Sequence, residues 1–150
     1  MTGMDKSVVR RIVSEAIAPM RHALWLGSWH VDVDYAPLQG SVMGENHINL
    51  PYLQCRISID PESHDTESEV LETLRHELLH LCCGYIDHPR RCVSEVVKDH
   101  DVFSSLDQSF TLASEHAVLA MEKVLDFNGL TPAKLIENGR RELVSGDQEE

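Results

Sequence analysis

Apolar residues recur at helical spacing near the N-terminus. Val8, Val9, Ile12, Val13, Ala16, Ile17 and Met20 share one side of a helix, and Asp5 stands where an N-cap belongs. The pattern predicts an amphipathic helix, kinked or ended near Pro19 because proline lacks an amide donor. Past Gly27-Ser28 the period changes to two: Trp29, Val31, Val33 and Tyr35 alternate with polar residues, as in a half-buried strand. Residues 36–46, with Pro37, Gly40 and Gly44, read as a loop. Two short strands follow at 47–50 and 55–60, and Pro51-Tyr52 between them predicts a turn joining antiparallel neighbours. The 55–60 strand is expected inside the sheet, with the strand around residues 45–50 at its edge.

A polar stretch of turn formers, DPESHDTES, leads into the run ESEVLETLRHELLHLCCG. Thr66 or Ser68 can cap this second helix, Glu67 and Glu69 suit the positive end of its dipole, and Gly84 is a natural terminator. Val70, Leu71, Leu74, Leu78 and Leu81 form its apolar face. Between Tyr85 and Gln108 the pattern is broken by Pro89, with a short helix at VSEVV. A further helix runs from about Ser109 or Thr111 to Phe127, stopped by Asn128-Gly129. Thr131-Pro132 then opens a short one in the N-cap/N1 arrangement. The elements predict an α+β chain: one domain over residues 1–144, built on a small twisted, mostly antiparallel sheet, and a disordered tail at 145–150.

Composition narrows the function classes. A formal net charge of -12 repels phosphate backbones, so no nucleic-acid partner is expected. No apolar run reaches the ~18–20 residues of a membrane helix, and the N-terminus lacks the apolar core of a secretory leader. No membrane partner and a cytoplasmic location are the expectations. The four cysteines, Cys55, Cys82, Cys83 and Cys92, show no C-x-x-C spacing and read as reduced, mostly buried thiols.

The chemistry concentrates in the second helix, at His76-Glu77-Leu78-Leu79-His80. The H-E-x-x-H spacing stacks two imidazoles one turn apart, on a different side from the apolar face. Both can reach one Zn²⁺ at about 2.0–2.1 Å. Glu77 then lies beside the metal, placed as the catalytic base that takes a proton from zinc-bound water and passes it to a leaving group. Two histidines so placed could instead merely cap or hydrogen-bond. A zinc site needs a third protein ligand and an open fourth position. Metzincins place a histidine where this chain has Ile86, which excludes that subclass. In gluzincins a glutamate on a later helix completes the site, and here Glu115 is the first candidate. It lies at the margin of a predicted buried face of Ala113, Ala117, Val118, Met121 and Leu125, where a carboxylate is costly unless a cation receives it. Glu95, His88 and His116 are the alternatives. Tyr52, Tyr85, His100 and His116 are candidate oxyanion donors. Asp87, Asp99 and Asp101 are candidates to orient the imidazoles from behind.

LRHELLHL, followed by a helix of the form E-x-x-V-x-x-x-E-x-x-L from Glu115 to Leu125, resembles the small single-domain, gluzincin-like metallopeptidases of phage and prophage genomes. The resemblance covers roughly residues 55–125 and is most specific at 74–81. It implies a minimal zincin-like fold with an N-terminal helix, a small sheet, an active-site helix and a ligand-bearing helix. It also implies a zinc-dependent hydrolase acting on peptide or protein substrates. The segment 85–108 has no counterpart in that pattern. HLCCGYIDH is similar to the zinc motif of the bacterial rRNA-maturation endoribonucleases. This chain has Glu77 where that family has glycine, and two extra residues before His88. A third alternative is a zincin-type fold kept only for binding or assembly.

Overall fold

The computed structural model describes residues 3–84, 90, 93 and 95–146. Helix α1 (Lys6–Ala23) starts at Asp5, whose carboxylate accepts the Ser7 N–H at 2.7 Å. It continues through Pro19 instead of ending there. The lost amide bond is outweighed by packing, since Val9, Ile12, Val13, Ala16 and Met20 are each at most 3% exposed.

Strands β1 (His30–Tyr35), β2 (Gly44–Asn49) and β3 (Gln54–Ile59) form a three-stranded sheet in the order β1-β3-β2. β2 and β3 are antiparallel and joined by a 3-10 turn at Leu50–Tyr52, as the Pro51 step predicted. β1, however, runs parallel to β3, with Val31 opposite Cys55 and Val33 opposite Ile57. The sheet is therefore mixed and not mostly antiparallel. Side-chain alternation is the same for either strand direction, so the pattern along β1 carries no information about it. β3 is central and β2 lies at an edge, as expected. Cys55, Ile57 and Ile59 face the helices, while Gln54, Arg56, His30, Asp32 and His47 cover the solvent side.

Helix α2 (Glu67–Cys82) begins in a capping box: Thr66 Oγ1 accepts the Glu69 N–H, and the Glu69 carboxylate accepts the Thr66 N–H. Val70, Leu74, Leu78 and Leu81 are at most 3% exposed, each side chain contributing about 1.5–3 kcal/mol by burial. The helix closes at Cys83, with the Gly84 N–H on the Leu81 carbonyl. Cys55 and Cys83 are buried and Cys82 half-buried; burial pushes the Cys55 thiol up to about 12, which suits packing rather than chemistry.

Helix α3 (His100–Phe127) is longer than its periodicity predicted. Asp99 caps it, accepting the N–H groups of Asp101 and Val102 at 3.0 Å. Its early apolar residues Val102 and Leu106 are exposed, so no core-facing stripe marked the start. Ala113, placed on the buried face by the sequence pattern, is exposed too; Ser114 and Val118 hold the buried line. Helix α4 (Pro132–Gly146) crosses α1 so closely that a Cβ on Gly139 would meet the Pro19 carbonyl oxygen at 1.8 Å. It carries Ser145 and Gly146 in helical form, so the expected disorder does not begin at 145. Val93, Glu95 and Val96 are helical, in keeping with the predicted short helix; the other predictions for 85–94 lie outside the described residues. No described helix is long and apolar enough to cross a membrane.

Asp60 ties the β1–β2 connection to the turn after β3. Its carboxylate accepts the Glu62 N–H at 2.9 Å, the Leu38 N–H at 3.1 Å and the Ser63 hydroxyl at 3.1 Å. Burial raises its pKa, but those donors outweigh burial and hold it below the ordinary value. Asp60→Ala should cost about 3 kcal/mol in urea unfolding at pH 7, the loss of several bonds to one charged acceptor. Because the folded pKa is depressed, this stabilisation is present above the unfolded value near ~4 and vanishes as pH falls through the folded one. The stability gap between wild type and variant should narrow at low pH.

Candidate metal centre

The second half of α2 carries the motif, and α3 crosses it. The two helices are joined by Leu79 and Cys83 packing on Val118, and by Arg75, whose Nη1 meets Asp126 Oδ1 at 2.6 Å. This docking brings the α3 segment around Glu115 over the histidines. His76 Nε2 and His80 Nε2 lie 3.3 Å apart. Glu115 Oε2 is 3.3 Å from His76 Nε2, and Glu115 Oε1 is 3.3 Å from His80 Nε2. Among the described residues, these three form the one convergent group of His, Cys, Asp or Glu side chains able to hold a metal.

The separations fit a metal. A tetrahedral ion with ligand bonds of about 2.0–2.1 Å sets neighbouring ligand atoms about 3.3–3.4 Å apart. The far sides of the rings supply a second test. His76 Nδ1 faces Glu122 Oε1 at 3.4 Å, and His80 Nδ1 faces Ser114 Oγ at 3.0 Å. An ionised carboxylate can only accept, so with a cation between His76 Nε2 and Glu115 the His76 proton belongs on Nδ1, facing Glu122, and the Nε2 lone pair is free for the ion. Ser114, buried with His80, does the same when its oxygen accepts. Arg75, 5% exposed, holds Glu122 in turn through Nη2 at 3.9 Å. Two imidazoles and a carboxylate suit several divalent first-row metals, zinc among them.

Glu77 sits beside this centre and is 5% exposed. Its Oε2 accepts the Asn46 Nδ2–H at 2.6 Å. Burial pushes its carboxyl up to about 7; the Asn46 bond and the nearby His76 pull it down, and Glu115 and Glu45 raise it. A group poised there can exchange protons near neutrality. Two cavities flank it. One, of about 410 Å³, is lined by Thr73, Met43 and the carboxylates of Glu69, Glu72 and Glu122; the other, of about 490 Å³, runs past Asn46, Arg90, Thr111 and Glu115.

Other predicted participants are elsewhere. Glu95 and His116 are exposed and outside the convergent group, and His88 lies outside the described residues. Asp99 is consumed as the α3 cap and the fully exposed Asp101 faces His100, so neither backs His76 or His80; Asp87 is not among the described residues. Tyr52, 73% exposed, and the exposed His100 and His116 line neither cavity, and Tyr85 lies outside the described residues. Glu122, Ser114 and Asn46 were not singled out for these positions. Only Glu122 had a signal, as the second glutamate of the E-x-x-V-x-x-x-E spacing. No family model, curated protein or solved structure matches the chain.

Proposed function

We propose that the chain is a zinc-dependent metallopeptidase of minimal, gluzincin-like zincin form, acting on peptide or protein substrates. The observation that carries the reading is the convergence of His76, His80 and Glu115, with the two Nε2 atoms 3.3 Å apart and each 3.3 Å from one oxygen of the Glu115 carboxylate, and the buried Glu77 carboxylate alongside. His76, His80 and Glu115 would hold the ion, which when bound supplies Lewis acidity toward water and a carbonyl.

The chain's own residues do the rest. Asp60 N–H donates to the Met43 carbonyl, so Glu45, His47 and Asn49 bond to β3, and the backbone groups of Gly44, Asn46 and Ile48 face the outer edge, which is open among the described residues. An extended peptide can add there as a fourth strand. Glu77 takes a proton from the attacking water and delivers it to the departing amine.

A carboxylate held in a buried site at unfavourable cost favours catalysis over a binding-only role, since metal binding needs no base at that position. The endoribonuclease reading requires His88 in place of Glu115, and the strong negative charge opposes an RNA substrate. The test combines metal analysis with cleavage. Purified protein should hold one zinc per chain and cut unfolded protein or a mixed peptide pool, with loss on chelation and recovery with zinc. Stoichiometric zinc without any cleavage would instead support the binding-module alternative.

A further inference from the structure

Edge strand β2 touches Glu77 at two points. Asn46 Nδ2 donates to Oε2 at 2.6 Å, and Gly44 lies against the other oxygen, where an added Cβ would stand 3.0 Å from Oε1, 3.2 Å from Cγ and 2.7 Å from Thr73 Cγ2. Any side chain at position 44 would therefore push the carboxylate or Thr73 aside. Both residues lie on the side of β2 that faces α2, while their backbone N–H and C=O groups face the open edge. One short segment thus supports the carboxylate with its inner surface and offers a strand edge with its outer one.

Resting on the peptidase reading, we propose that Asn46 is a positioning residue for that reaction. Its amide fixes the rotation of the Glu77 carboxylate, with Gly44 keeping clear the space that the orientation needs. Among the described residues Asn46 is the one side-chain hydrogen-bond donor to the Glu77 carboxylate, which ends a flexible stem. Without the amide, the carboxylate keeps its place on the helix but loses its angle. Because Asn46 belongs to the docking edge, a peptide that adds to β2 also stiffens the strand that aims the base.

Two measurements test this. In the metal-free protein, the side-chain amide resonance of Asn46 in a ¹H–¹⁵N spectrum should lie in a shifted, slowly exchanging position that collapses in Glu77→Ala. A resonance indifferent to that substitution overturns the proposal, whatever the activity. In the zinc-loaded protein, Asn46→Asp keeps the size but replaces the donor with a repelling oxygen. It should lower kcat about 10–100-fold, the scale set by small misplacements of a catalytic group, with KM and zinc content within twofold of wild type. Asn46→Gln, which retains an amide donor, should recover part of the loss. Equal loss in Asp and Gln variants, or a fall carried by KM or zinc content, overturns the positioning role. If the wild type cleaves nothing, the peptidase reading fails, and the spectrum still decides whether Asn46 holds Glu77.

Discussion

Glu77→Gln should leave one zinc per chain in place and lower kcat by about 10²–10⁴-fold, the range for loss of a general base. The substitution keeps the shape of the side chain and an oxygen able to accept from Asn46, so neither imidazole loses a contact. A second effect follows from burial. The Glu77 carboxyl is pushed up to about 7, well above the unfolded value of about 4.3. Ionisation in the metal-free fold is therefore penalised, and the cost grows as pH rises from the unfolded pKa to the folded one. In metal-free protein at pH 8, the amide variant should be more stable than wild type by on the order of 2 kcal/mol, with the difference disappearing below about pH 4. Lost hydrolysis joined to gained stability is the signature of a residue retained for chemistry at the expense of the fold. If the variant cleaves as well as wild type, Glu77 is not the base.

The local part of this arrangement was readable in the chain, because it depends on neighbours in sequence. Thr66 and Glu69 are three residues apart, and their capping box fixes where α2 begins and hence which way His76 and His80 face. Leu74, Leu78 and Leu81 then set the core-packed side apart from the one that carries His76 and His80. The short strand at 55–60 was legible in the same way, from the turn formers on either side of it. The unread part rests on contacts that sequence spacing does not encode. Asn46 meets Glu77 across 31 positions, and Arg75 meets Asp126 across 51. A small polar residue on a short strand has no periodicity to announce its partner. Asp99 shows the converse: an acid near the motif in sequence was spent on capping α3. Glu122 was visible in the pattern but not as the neighbour of His76. Seven residues along a helix is nearly two turns, so Glu115 and Glu122 share a face, and that face meets His76 only once α3 docks at Val118.

That shared face yields a graded prediction for metal affinity. Glu115→Ala should weaken zinc binding by roughly 10³-fold, about a third of the binding free energy available to a protein zinc site. Glu122→Gln should weaken it only 10–100-fold, the usual cost of removing a group that orients a ligand from behind. The charge of Glu122 matters because an amide can present its N–H to His76 Nδ1 and so favour the tautomer whose Nε2 is protonated, turning a donor toward the metal. Glu95→Ala and His116→Ala should leave affinity unchanged, since both residues are exposed and outside the convergent group. Competition against a chromophoric chelator measures all four on one scale. Helical content and unfolding midpoint in the absence of zinc separate a lost ligand from a lost fold, and half-exposed Glu115 should leave both near wild type. The order Glu115 first, Glu122 second and no effect from the others requires α3 to dock as it does here. If Glu95→Ala releases the metal while Glu115→Ala does not, the third ligand comes from the short helix instead, and Glu115 reverts to a surface charge.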